Sequence, residues 1–144
     1  MPGLEIQITF DAADPDALAE FWRQALGYAL QDPPAGFESW EEWGVANHLE
    51  HLAGTRAALV DPDESRPRLF FQKVPEPKTA KNRLHIDIHI SGGHAVAIDE
   101  RRSRLNTEAE RLVGLGATKV GLLEEDGQSW VIMNDPEGNE FCLD

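Results

Sequence analysis

The sequence predicts an α+β fold built from two tandem β-α-β-β-β modules. An alternating β segment followed by an amphipathic helix occurs near the start of the chain and again in its second half. Each predicted helix ends at a glycine in a matching context, Leu-Gly-Tyr in the first half and Leu-Gly-Ala in the second. Turn signals then separate further short β segments in both halves, which is typical of an antiparallel meander.

The first module begins with a strand and a helix whose ends are marked. Apolar and polar residues alternate through residues 4–10, which indicates a strand with one covered face. Asp14 is placed to cap the next helix, and Pro15 fits its first turn because the missing N–H would be unpaired there. Gly27 supplies a left-handed stop. Between these ends, one helical stripe is apolar: Leu18, Phe21, Trp22, Ala25 and Leu26.

The second module repeats this order. In residues 82–90, polar side chains alternate with isoleucines, so the polar ones share one face of a strand. These polar residues are His85, Asp87 and His89. A longer helix follows and stops at Gly116. Its predicted apolar stripe consists of Leu105, Ala109, Leu112 and Val113.

The module boundaries follow from the remaining turn signals. Asp126-Gly127 predicts a tight hairpin between two strands of the second half. Proline-rich residues 75–82 read as a linker, because prolines favour an extended, unpaired run. We therefore expect a single domain over residues 1–144 that contains one module at 4–74 and another at 83–144.

An insertion at residues 32–54 has no counterpart in the second half. The sequence predicts a short acidic helix within it, at residues 41–52. Trp40 and Trp43 would share one face of a helix, because they are three residues apart. They can serve either as a lid over a cavity or as a buried contact, including a contact between two copies of the chain.

Composition narrows the classes of function. The chain has 13 basic and 26 acidic residues, a net charge of −13. Such a charge disfavours nucleic acids and anionic membranes as partners. Cys142 is the single cysteine, so no internal disulfide forms, and no leader or membrane span is recognisable. These features predict a cytoplasmic protein.

The element order and three longer phrases resemble a known superfamily. The phrases are "DPDALAEFWRQALGY", "DPEGNEFCL" and "LFFQKVPEPKTAKNRLHIDIHI". They resemble the vicinal-oxygen-chelate superfamily, which includes glyoxalase I, bleomycin- and fosfomycin-resistance proteins and extradiol dioxygenases. The third phrase is similar to a glyoxalase-like subgroup of actinomycetes. The resemblance implies sheets curled into half-barrels, each with a helix on one face and a cavity on the other, and a homodimer.

The same resemblance implies where a divalent metal would be held. The positions that match its ligands are Gln7, Gln72 and His85. A fourth ligand is usually a glutamate four residues after the turn glycine Gly138, and here that position is Cys142. Two neutral amides and a mostly protonated thiol suit no single metal ion well. We therefore expect no resident metal; the alternative is nickel, zinc, iron or manganese, with Asp87 as a substitute ligand.

Several further side chains are candidates for the walls of a cavity. Arg83, together with Lys78 and Lys81, can meet an anionic group on a ligand or pair with carboxylates such as Glu76. A nucleophilic role for Cys142 is disfavoured, because a lone inward thiol is usually a small buried apolar group. The full predicted set is Gln7, Thr9, Gln72, His85, Asp87, His89, Cys142, Trp40, Trp43 and Arg83.

Three functions are compatible with the sequence. The favoured one is binding of a small organic molecule in the cavity, as in resistance proteins, without a complete metal site. The second is a metal-dependent lyase, isomerase or dioxygenase of the glyoxalase type. The third is a regulatory module with a vestigial cavity.

Overall fold

The computed structural model describes residues 3–144 of the chain. They divide into two compact units, unit 1 up to Pro77 and unit 2 from Lys78 onward, and the division falls within the predicted linker. Each unit has the order β-α-β-β-β around a four-stranded sheet, which confirms the predicted α+β class. No helix among the described residues combines the length and apolarity that a membrane span requires.

Unit 1 is a four-stranded sheet with one main helix. Its elements are β1 (Gln7–Ala12), α1 (Pro15–Leu26), β2 (Ala29–Leu30), α2 (Trp40–Ala46), β3 (Arg56–Val60) and β4 (Arg68–Lys73). The sheet order is β1-β4-β3-β2, with β1 parallel to β4 and the other pairs antiparallel. Helix α1 packs on the sheet through a core in which Trp22 contacts Phe10 and Phe21.

The ends of α1 confirm the local predictions. The Asp14 side chain accepts a hydrogen bond from the main-chain N–H of Ala17 at 3.1 Å. This bond satisfies one of the donors that a helix start leaves open. Gly27 ends the helix with a φ of 71°, a left-handed conformation that glycine adopts without steric cost.

The predicted helix at 41–52 in the insertion is wrong in its extent. Helix α2 ends at Ala46, and His48 has a φ of 57°, which interrupts any continuous helix. A single 3₁₀ turn follows at Glu50–Leu52. The left-handed residue breaks the segment into two short pieces, because a helix cannot continue through a positive φ.

Unit 2 repeats the same permutation of strands. Its elements are β5 (Asp87–Ile88), α3 (Ile98–Gly114), β6 (Thr118–Glu125), β7 (Gln128–Asn134) and β8 (Glu140–Leu143). The sheet order is β5-β8-β7-β6, with β5 parallel to β8. The predicted Asp126-Gly127 hairpin is confirmed, since both residues have positive φ between β6 and β7.

The buried stripe of α3 differs from the predicted one at one position. Leu105, Ala109 and Leu112 are buried as expected, but Val113 is 45% exposed. Each residue advances 100° around a helix, so Val113 lies beyond the edge of a stripe centred on the other three. Arg101, four residues before Leu105, occupies the stripe instead and is buried.

In both units, a buried aspartate organises the loop between the third and fourth strands. Asp61 is 3% exposed and accepts three main-chain N–H bonds from residues 63–66. Asp135 is 2% exposed and accepts two from residues 137–139. Each is followed by proline. The two loops satisfy their main-chain donors in the same way.

Candidate functional site

Unit 2 contains a cavity of about 740 Å³ that we call the unit 2 cavity. Its walls come from β5, β7 and β8, the loop that follows β5 and the first two turns of α3. The volume lies in the range of small-molecule pockets, roughly 300–1,000 Å³. The lining residues are His85, Asp87, residues 89–94, Arg101, Arg104, residues 128–130, Cys142 and Asp144.

Three side chains in this cavity form a compact cluster. Asp87 and Cys142 are register partners on the parallel strands β5 and β8. His85 Nε2 lies 3.2 Å from Asp87 Oδ1. One donor atom from each of His85, Asp87 and Cys142 lies within 4.8 Å of the other two. Imidazole nitrogen, carboxylate oxygen and thiolate sulfur are all metal ligands in proteins, so this cluster could hold an ion such as zinc.

The protonation state of Cys142 works against both metal binding and nucleophilic chemistry. Burial raises the pKa of its thiol, and the negative charges of Asp87 and Asp144 raise it further. Since the thiolate is the metal ligand and the nucleophile, the protonated thiol must first lose its proton. The resting state of this side chain is therefore a small polarisable group in the cavity wall.

A second histidine–carboxylate pair involves His89, which follows the end of β5 and is two residues after Asp87. His89 Nδ1 contacts Asp144 Oδ1. The hydrogen bond to Asp144 raises the pKa of His89, with a further contribution from the charge of Asp87. Both carboxylates that line the cavity, Asp87 and Asp144, thus contact a histidine.

The two arginines of the cavity differ in their partners. Arg104 donates to Glu100 at 2.5 Å and to the main-chain carbonyl of Ser91 at 3.2 Å. Arg101 is only 9% exposed and donates through Nη1 to the carbonyl of Gly127 at 3.0 Å. Its Nε is buried and has no hydrogen-bond partner in the part of the chain that the structure describes. Sequence reasoning missed Arg101; the signal was a cation four residues before Leu105 on the buried stripe.

Unit 1 presents a different set of side chains on the sheet face that α1 leaves uncovered. Gln7, Thr9 and Gln72 lie there as predicted candidates, all exposed. Gln7 is the register partner of Arg68, and its Oε1 accepts a hydrogen bond from Arg68 Nη1 at 2.5 Å. Arg68 Nε donates to Gln31 Oε1 at 2.7 Å.

Gln72 lies apart from Gln7 on this face. It is the register partner of Asp11, to which its Nε2 donates at 2.8 Å. Asp11 is four residues beyond Gln7, which corresponds to about 13 Å along a strand. When the first strands of the two units are aligned so that Gln7 corresponds to His85, Thr9 corresponds to Asp87. The register partners of Thr9 and Asp87 then also correspond, so unit 1 has Phe70 where unit 2 has Cys142.

The predicted metal ligands of unit 1, Gln7 and Gln72, are poorly arranged to hold a divalent cation. The oxygen of Gln7 that would be a ligand already accepts from the guanidinium of Arg68, and a second positive charge beside it is unfavourable. Gln72 is too far along the sheet to share an ion with Gln7. Coordination of a metal ion by Gln7, Gln72 and His85 stays a prediction. The compact cluster of possible metal ligands consists of His85, Asp87 and Cys142 in unit 2.

The remaining predicted residues lie outside the unit 2 cavity. Trp40 Nε1 donates to the carbonyl of Gln31 at 2.8 Å, and its ring meets Trp43 edge-on with a centroid distance of 5.5 Å. Arg83 is exposed. Lys78 forms an ion pair with Glu140 at 3.3 Å, so its carboxylate partner is in β8.

Comparisons with known proteins agree with this architecture. The sequence profile of the glyoxalase-like domain family matches residues 7–143. No curated protein sequence matches the chain.

Solved structures share the fold at low sequence identity. A mutant of the fosfomycin resistance protein FosX from Listeria monocytogenes has a TM-score of 0.62 at 12% identity, over 99% of this chain and 89% of that one. Lactoylglutathione lyase from Agrobacterium tumefaciens has a TM-score of 0.56 at 14% identity, over 99% and 93%. TioX from Micromonospora sp. ML1 has a TM-score of 0.53 at 15% identity, over 98% and 97%. Because the family profile spans nearly the whole chain, the chain belongs to the glyoxalase-like domain family.

Proposed function

We propose that this chain binds a small organic molecule in the unit 2 cavity without a resident metal ion. The observation that carries the proposal is the cavity itself, about 740 Å³ with an aromatic wall at Trp130 and several polar groups directed at one space. An apolar ring surface with a few convergent polar groups is typical of sites that bind small ligands.

The protonated thiol supports binding rather than covalent catalysis. The raised pKa of Cys142 keeps the sulfur neutral at physiological pH. A neutral thiol is a weak nucleophile, and its environment lacks the depressed pKa that catalytic cysteines need. This favours sequestration or presentation of a ligand over acyl or group transfer through sulfur.

A pair of tryptophan substitutions tests the location of binding. His85→Trp places an indole in the unit 2 cavity, whereas Val113→Trp places one on the exposed side of α3. We expect some compounds from a library of small aromatic acids, amides and amines to raise the melting temperature of the wild type. A ligand present at 100 times its Kd stabilises a protein by about 2.7 kcal/mol.

The same compounds should stabilise Val113→Trp and fail to stabilise His85→Trp. Equal stabilisation of both variants would contradict binding in the unit 2 cavity, as would a library in which nothing stabilises the wild type.

The cluster of His85, Asp87 and Cys142 favours a second candidate function, a metal-dependent lyase, isomerase or dioxygenase. These three residues would hold the ion, and a bound divalent ion supplies Lewis-acid activation of substrate oxygens. The FosX structure from Listeria monocytogenes contains Mn(II) and 1S,2S-dihydroxypropylphosphonic acid. A mixed nitrogen, oxygen and sulfur set suits zinc better than manganese.

Zinc stoichiometry separates the two functions. Wild type, Cys142→Ser and the hairpin variant Asp126→Asn are dialysed against excess Zn²⁺ and then against buffer, and their zinc content is measured. We expect well below one zinc per chain in all three. One zinc per chain in the wild type and in Asp126→Asn, lost in Cys142→Ser, would establish the metal-dependent alternative.

A further inference from the structure

Arg101 is a buried cation that forms no ion pair among the described residues. It lies on the buried stripe of α3, is 9% exposed and lines the unit 2 cavity. Among the described residues, its one side-chain hydrogen bond goes to the neutral carbonyl of Gly127, and its Nε has no acceptor. Removing a charge from water is costly unless it is paired, and an unmade hydrogen bond adds to that cost.

The acidic group that interacts electrostatically with Arg101, Glu124, is paired with another cation. Glu124 forms an ion pair with Arg102 and accepts a hydrogen bond from Ser129. The hydrogen bond from Arg102 is the main reason that the pKa of Glu124 is lowered, and Arg101 adds only a smaller Coulombic contribution. Among residues 3–144, no carboxylate forms an ion pair with Arg101 within 4.0 Å.

The carboxylates that line the cavity contact histidines and form no ion pair with Arg101. Asp87 contacts His85, and Asp144 contacts His89. The remaining cation, Arg104, is paired with Glu100. Among the described residues, Arg101 is therefore the cavity-lining arginine that has no carboxylate partner.

We propose that Arg101 recognises an oxyanion, a carboxylate or a phosphonate, on the ligand of the unit 2 cavity. This inference rests on the proposed function and specifies the chemical class of its ligand. A guanidinium offers donors in a fixed fork that matches the two oxygens of such groups. The half-buried ring of Trp130 in the same wall suits an aromatic or apolar body attached to the anion.

Three probes of similar shape isolate the charge. Benzoate and phenylphosphonate carry the two kinds of oxyanion on a phenyl ring, and benzamide is a neutral counterpart. Their affinities are measured by calorimetric titration of the full chain. We expect at least one anion to bind the wild type more tightly than benzamide does.

Substitution of Arg101 tests its role directly. Arg101→Met removes the charge and keeps most of the side-chain volume, while Arg111→Met makes the same change on α3 outside the cavity. Arg101→Met should lower the affinity for the anion by about tenfold or more, because a hydrogen bond to a charged group contributes that much to the free energy of binding. Benzamide should bind both variants as it binds the wild type. Arg101→Lys keeps the charge but not the forked guanidinium, so its affinity for the anion should lie between those of the wild type and Arg101→Met.

Three results would overturn the inference. The first is that the anions bind Arg101→Met as tightly as the wild type. The second is that the substitution weakens their binding no more than it weakens the binding of benzamide. The third is that they do not bind the wild type at all. If benzamide alone bound, the proposed function would stand, but the proposal that Arg101 recognises an oxyanion would be overturned. Binding of none of the three probes would count against both. Should Arg101→Met not fold, the same comparison is made with Arg101→Lys.

Discussion

The two units share one scaffold and differ in how an arginine of each unit is paired. Both have the same strand permutation and the same buried Asp-Pro loop. In unit 1, Arg68 is satisfied by two glutamine oxygens and lies over the ring of Phe70 at 5.2 Å. In unit 2, Arg101 lines a cavity with no carboxylate partner among the described residues. A repeated scaffold can thus carry a closed polar network in one copy and an open cavity in the other.

In both units the scaffold is stabilised by the core between helix and sheet. Truncation of a core side chain should therefore have the largest effect on the free energy of unfolding. Trp22→Ala in unit 1 should lower the free energy of unfolding by about 3–5 kcal/mol, and Leu112→Ala in unit 2 by about 2–5 kcal/mol. Both side chains are almost fully buried. Urea denaturation followed by circular dichroism measures the loss. Trp40→Ala, a half-exposed control, should cost far less.

The buried aspartate of unit 1 should make stability depend on pH. Burial alone raises the pKa of Asp61, but hydrogen bonds from Asp63 and Ser65 and the charge of Arg66 outweigh it, so the pKa lies below its ordinary value of 3.8. A lowered pKa in the folded state contributes stability that is present above the ordinary value and is lost as pH falls through the lowered one.

Asp61→Asn should therefore lower the melting temperature at neutral pH and flatten its decline toward acid pH. Asp63→Asn is the matched control, since its exposed side chain is in the same loop. An Asp61→Asn curve parallel to that of the wild type would show that the loop carboxylate does not titrate as described.

A smaller effect compares the two arginines themselves. Arg68→Met should destabilise the protein by about 1 kcal/mol, because two hydrogen bonds to glutamine oxygens are lost. Arg101→Met should cost nothing or even stabilise, because replacing an unpaired buried charge with an apolar side chain removes a desolvation penalty. Chemical denaturation of the two variants gives the difference. Equal destabilisation would mean that Arg101 has a structural role.

Local signals in the sequence were sufficient for the order of the main strands and helices. The Asp14 cap, the Gly27 stop and the Asp126-Gly127 hairpin each depend on a few neighbouring residues, so they could be identified without knowledge of tertiary contacts. The break at His48 could not, because a positive φ at a histidine leaves no mark in the pattern of hydrophobic residues.

The site was less accessible to sequence reasoning, because it depends on tertiary contacts. The alternation around Asp87 placed His85 and His89 on one face, but pairing of β5 with β8 is what brings Cys142 to Asp87. Register also separates Gln72 from Gln7. The burial of Arg101 depends on how α3 packs, and a charged residue on a helix is ordinarily read as exposed.

The most direct test of binding in unit 2 uses the side-chain N–H signals of the four tryptophans. Trp22, Trp40 and Trp43 are in unit 1, whereas Trp130 lines the unit 2 cavity. In a ¹⁵N-labelled wild-type sample titrated with benzoate, phenylphosphonate and benzamide, the Trp130 indole resonance should shift in a saturable manner. A Trp130 resonance that stays fixed throughout, with or without shifts at the other three, would contradict binding in the unit 2 cavity.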